Sequence, residues 1–178
     1  QRHFATELEL AQKHLKAGDT VTLLHCDGEM PACETNEEHA PARCGLCVMS
    51  RKAGVNALTD TTNLYQRPFL FLTEQDKRDI EHLPRNFQTL EESINYAIDK
   101  YDIGSSVMSS VICSLKDSTP NMAEYADLIY RYMLSAFITY RSVRNFLRQT
   151  KVDCFYIFNG RMSMTRGILR ACEAEGVE

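Results

Sequence analysis

The feature that most constrains this chain is the spacing of its cysteines. Cys26, Cys33, Cys44 and Cys47, four of the seven in the sequence, follow one another as C-x6-C-x10-C-x2-C. Thiols gathered in so short a window share an ion, pair as disulfides, or bury as small apolar groups. Gly28, Pro31, Pro41 and Gly45 interrupt the window and mark it as loop, which argues against plain burial. The spacing therefore predicts a cysteine-rich metal-binding loop over residues 26–47, with Cys26, Cys33, Cys44 and Cys47 as ligands. His25 and His39 lie beside and inside it and are the replacements for a sulfur. Zinc is the expected ion, because a closed thiolate tetrahedron needs no redox partner. An iron–sulfur cluster is the alternative, since four cysteines alone do not separate zinc from iron.

Around this window the pattern is that of an α/β chain. Phe4, Leu8, Ala11 and Leu15 recur at helical spacing and Gly18 follows as a stop, so a helix is predicted over 4–17. The β-branched run that follows predicts a buried strand over 20–26. Helix, Gly-Asp, strand is the second half of a βαβ unit, and the absence of a preceding strand makes the chain read as a piece of a longer domain. A short helix is expected from Cys47 to Leu58 and a second strand from Pro68 to Thr73. Residues 74–85 read as a short helix or a loop. Thr89 with Glu92 opens a helix to about Tyr101. Tyr125, Ile129, Tyr132, Ala136, Tyr140, Val143 and Leu147 trace one face of the longest helix, a core stripe rather than a cofactor site. The arginines along it (Arg131, Arg141, Arg144 and Arg148) read as a solvated face. Residues 152–158 are predicted to be a strand, followed by a tight turn and a helix over 162–175. The fold expected is a single Rossmann-like three-layer α/β domain over residues 1–178, with a mostly parallel sheet.

The totals narrow the function classes. A chain of 178 residues can bury a substantial core. Its net charge of -4 gives no electrostatic reason to expect nucleic acid. No run has the apolar length of a membrane span, and an odd cysteine count concentrated in one window points to a reducing cytoplasm. The sequence holds no G-x-S-x-G elbow, GxGxxG loop, P-loop or H-E-x-x-H motif. Asp102 and Asp153 stand as single carboxylates without an evident partner. The best ligand-binding set is Asn159, Gly160 and Arg161, where glycine lets backbone approach a ligand and arginine can fork onto a phosphate or carboxylate. Arg166 lies about a turn further on and would reinforce it. Ser105 and Ser106, beside Gly104, are either part of an anion-facing turn or small residues that let helices pack closely.

Three groups of residues carry a resemblance to a known family. They are His25-Cys-Asp-Gly with Pro-Ala-Cys-Glu-Thr-Asn and Cys-Gly-Leu-Cys, then Tyr101-Asp-Ile-Gly-Ser-Ser, and finally Phe158-Asn-Gly-Arg with Arg-Gly-Ile-Leu-Arg-Ala-Cys-Glu. Together they resemble the amino-terminal half of glycosyltransferase-like proteins of bacterial surface (capsular or lipopolysaccharide-type) polysaccharide biosynthesis. The resemblance implies one half of a GT-B architecture, in which this half holds a sugar or glycan acceptor. The nucleotide-sugar donor would then bind a carboxyl-terminal half beyond this chain, and this part alone would not be catalytically competent. Peripheral membrane association of the full-length protein is compatible with that role. The reading from a different class is a non-enzymatic zinc- or iron–sulfur-binding interaction module.

Overall fold

Phe4, Leu8, Ala11 and Leu15 do lie on one helical face, in α1 (Arg2–Ala17), where Ala11 and Leu15 are buried. Gly18 ends it with φ +87°, its N–H bonding back to the Leu15 carbonyl at 3.0 Å. A residue with a Cβ takes that left-handed conformation only under strain. The computed structural model describes residues 2–178, with side chains from Phe4 onward. It falls into two compact units, the first running to Glu29 and resuming over Ala40–Phe69, the second comprising Met30–His39 and Leu70–Glu178.

The first unit is a parallel β–α–β crossover with α1 packed on it. The strand β1 (Val21–His25) leads to the helix α2 (Pro41–Asn56) and on to the strand β2 (Leu64–Pro68). The strands pair in parallel, with Val21 opposite Leu64 and His25 opposite Pro68. The strand expected over 20–26 is therefore present. Gly54 sets the closeness of the helices: a Cβ there would lie 2.6 Å from a Phe4 ring carbon and 2.7 Å from a Leu8 methyl.

Two expectations need correction here. The window 26–47 is not loop throughout, because α2 begins at Pro41 and carries both Cys44 and Cys47. Proline at the first helical position has its fixed φ already helical and gives up an N–H that would have no partner there, so it starts a helix rather than breaking one. The second strand is Leu64–Pro68 and not 68–73. Pro68 brings no N–H to the ladder, and the backbone of Phe71 is engaged elsewhere, its N–H by Ser142 Oγ at 3.0 Å and its carbonyl by Asn145 Nδ2 at 2.9 Å.

The second unit is helical: α3 (Glu74–Glu81), α4 (Leu90–Asn95), α5 (Ile103–Leu115), α6 (Ala126–Gln149) and α7 (Ser163–Glu175). On α6 the expected stripe is buried at Ile129, Tyr132, Ala136, Tyr140, Val143 and Leu147, with Tyr125 half-buried just before it. Thr89 accepts the Glu92 N–H as an N-cap, but the helix it opens ends at Asn95 and not near Tyr101. Tyr96 is extended there, and its carbonyl takes the Gly104 N–H at 2.9 Å. A Cβ on Gly104 would lie 1.8 Å from the Ser93 carbonyl oxygen. Gly104 is thus where α5 closes on α4, and of the two roles weighed for its small neighbourhood the close-packing one is realised.

Residues 152–158 do not form a strand; they run as irregular chain into α7. A strand needs a neighbour to take its N–H and C=O groups. The backbone bond from another segment to this one is that between the Phe155 N–H and the Glu178 carbonyl, at 2.6 Å. Val152 and Phe155 instead pack against the helical core, while Tyr156 and Phe158 are exposed. The described residues make an α/β chain of mostly helices with one two-stranded parallel sheet.

Candidate functional site

The amino terminus of α7 gathers a set of buried polar groups in the second unit. Asn159 and Gly160 have φ +68° and +57°, two successive left-handed residues that swing the chain into the helix. Arg161 follows them and is exposed, with no ion pair among the described residues. Two residues on, the fully buried Ser163 donates its N–H to Ser110 Oγ at 2.8 Å and its hydroxyl to Glu34 Oε1 at 2.9 Å. Ser110, itself 2% exposed, donates to the same Glu34 oxygen at 3.1 Å. One carboxylate oxygen therefore receives two buried hydroxyls, from positions 76 and 129 residues away.

Tyr101 extends the cluster inward. Its Oη lies 2.9 Å from the Ser163 carbonyl and 2.7 Å from Ser106 Oγ, which in turn lies 2.7 Å from the Ile103 carbonyl. Two hydroxyl protons serve these three contacts. Burial pushes the Tyr101 phenol far above its ordinary range; the Ser106 hydrogen bond and Arg166 oppose that, and the charges of Asp102 and Glu34 add to it. Tyr101 is consequently a neutral hydrogen-bonding group that locks α5 to α7.

The other expected ligand residues fall as follows. Ser106 is fully buried and committed to this inner network, while Ser105 is half-buried on α5. Arg166 is paired with Asp102, as is Arg170, whose Nε lies 2.9 Å from Asp102 Oδ1. Asp102 therefore has two partners on α7, a pairing invisible at separations of 64 and 68 residues. Burial alone would raise its pKa, but the two guanidinium groups hold it down at about 2. The arginines of α6 are likewise paired rather than merely solvated: Arg141 with Asp99 at 3.2 Å, Arg144 with Glu175 at 2.7 Å and Arg148 with Glu175 at 2.9 Å.

The cysteine window is divided between the units. In the first, the Gly28 N–H points to Cys26 Sγ at 3.3 Å, and a Cβ on Gly28 would lie 3.1 Å from the Cys44 Cβ and 3.6 Å from its sulfur. Gly28, at φ +88°, thus lies against both Cys26 and Cys44. Cys47 is exposed on α2 and lies one turn beyond Cys44. Cys33 belongs to the second unit, its sulfur 3.4 Å from Thr35 Oγ1 and its backbone paired with Asn36. Among the described residues no group of three or more His, Cys, Asp or Glu side chains is placed to hold a metal ion. His39 Nδ1 is 2.6 Å from the Met30 carbonyl. His25 Nδ1 lies 3.3 Å from Asp27 Oδ1 yet outside hydrogen-bond alignment, so the buried nitrogen makes no hydrogen bond. Arg51 holds the same carboxylate at 2.7 Å.

Sequence reasoning missed Glu34 and Arg51. Glu34 stands beside Cys33 in an acidic stretch, and nothing local separates it from Glu37 or Glu38. Arg51 meets Asp27 only because the crossover returns α2 to the end of β1. No protein family, curated protein or solved structure matches this chain. Among the described residues no helix is long and apolar enough to cross a membrane.

Proposed function

We propose that this chain is the acceptor-side part of a glycosyl-transferring enzyme of surface polysaccharide biosynthesis, binding its glycan at the turn before α7. The observation that carries this reading is the turn itself. Successive left-handed residues at Asn159 and Gly160 precede an exposed Arg161, which has no ion pair among the described residues and stands two positions before the buried Ser163. An arginine so placed suits the phosphate or carboxylate of a charged saccharide. The parallel β1–α2–β2 crossover supports a Rossmann-like half of GT-B type, since such crossovers are its building unit. A nucleotide-sugar donor would be held outside this chain, and the motif resemblance supplies the reaction class.

Ligand-observed NMR with neutral, uronic acid-bearing and phosphorylated oligosaccharides tests the proposal. Arg161→Ala should weaken binding of the charged members by about 10–100-fold, the worth of a charge-assisted hydrogen bond. Failure of every saccharide to bind the wild-type chain would sink the reading.

The second reading, a zinc or iron–sulfur module on Cys26, Cys33, Cys44 and Cys47, is favoured by the way Cys26 and Cys44 both lie against Gly28. Elemental analysis of the purified protein decides it: about one zinc per chain, lost in Cys44→Ser, would establish the site. Iron would replace zinc with a cluster, and a metal-free protein would leave the thiols as packing and surface groups.

A further inference from the structure

Glu34 carries more charge than its structural task requires. Accepting the hydroxyls of Ser163 and Ser110 needs an acceptor oxygen, which a neutral glutamine would also supply. The residue is instead a carboxylate, and no Lys, Arg or His pairs with it among the described residues. Oε1 is fixed by hydroxyls from serines that are 0% and 2% exposed, while the residue as a whole is exposed and Oε2 takes part in none of these bonds. Backbone contacts hold its segment from both sides. The Ala32 N–H donates to Ser135 Oγ at 3.0 Å, and Arg131 Nη1 donates to the Glu37 carbonyl. The result is an exposed carboxylate with Oε1 held by two hydroxyls and no cationic partner among the described residues.

We infer that Glu34 is the acceptor-binding carboxylate, its Oε2 accepting hydrogen bonds from ring hydroxyls of a saccharide; this inference rests on the function proposed above. Carboxylates suit that task because each oxygen accepts more than one hydroxyl, and the hydrogen bonds gain strength from the charge. A carboxylate already oriented also loses little side-chain freedom on binding.

The same oligosaccharide panel, applied to Glu34→Gln with thermal unfolding alongside, tests it. Glutamine keeps an acceptor for Ser110 and Ser163, so the melting temperature should stay close to wild type while affinity for all saccharides falls about 10-fold or more. Glu34→Asp, which keeps the charge but withdraws it by one methylene, is the second variant should the glutamine variant fail to fold; it too should bind more weakly. Wild-type affinity in either folded variant overturns the inference and leaves the proposed function standing. Absence of saccharide binding by the wild-type chain overturns both.

Discussion

Gly104 is the residue whose replacement the structure forbids most plainly. Backbone rather than a movable side chain occupies the place of a Cβ, with the Ser93 carbonyl oxygen at 1.8 Å and that of Tyr96 at 2.9 Å. Gly104→Ala should therefore cost about 3 kcal/mol or more, the upper end of overpacking penalties, because α4 and α5 must part. Urea unfolding measures this; a loss below about 1 kcal/mol would show that the two helices are not packed as described. Gly18, by contrast, has nothing within 4 Å of a built Cβ. There the cost of alanine would be conformational alone, from its φ of +87°.

At the scale of elements, α3 shows how a helix of eight residues persists. Thr73 and Asp76 form a reciprocal capping box, with Thr73 Oγ1 accepting the Asp76 N–H at 3.1 Å and Asp76 Oδ2 accepting the Thr73 N–H at 2.9 Å. Asp76, 5% exposed, also accepts from Asn145 Nδ2 at 2.8 Å and lies 3.6 Å from Arg141 Nε, which ties α3 to α6. Thr73→Ala should cost about 1 kcal/mol, the usual worth of a cap. Asp76→Ala should cost more, about 2–3 kcal/mol, because it also removes one hydrogen bond of Asn145 and a charge beside Arg141. Equal losses in the two variants would mean that Asp76 acts only as a cap and that its contacts to α6 contribute nothing.

On the whole-molecule scale, three acids of the second unit set a common response to pH. Burial would raise the pKa of Asp76, Asp102 and Glu175, but their hydrogen bonds and arginine neighbours prevail and lower all three. A lowered native pKa means that the unfolded chain binds more protons in the window between the two values. Stability from these groups is complete above their ordinary values of 3.8 for the aspartates and 4.5 for the glutamate. It is lost as pH falls below them, for Asp102 down to about 2. Acid unfolding followed by circular dichroism should show stability declining over that range. Asp102→Asn should flatten the decline, and an unchanged acid profile in that variant would remove Asp102 from the account.

What the sequence determined by itself was whatever depends on neighbours in the chain. The periodicity of α1 and α6, the stop at Gly18 and the cap at Thr89 are local consequences of backbone hydrogen bonding and side-chain spacing. Tertiary structure decided the rest. Residues 152–158 have the composition of a strand, yet strand formation requires a partner, and Val152 and Phe155 pack against the helical core instead. The helix that carries Cys44 and Cys47, by contrast, opens at Pro41, which is a local signal. The polar cluster at α7 joins Glu34, Ser110 and Ser163 from three distant places, and no local pattern marks any of them. A buried hydroxyl must find an acceptor wherever the fold supplies one, so its partner is a property of the packed chain and not of its neighbours in sequence.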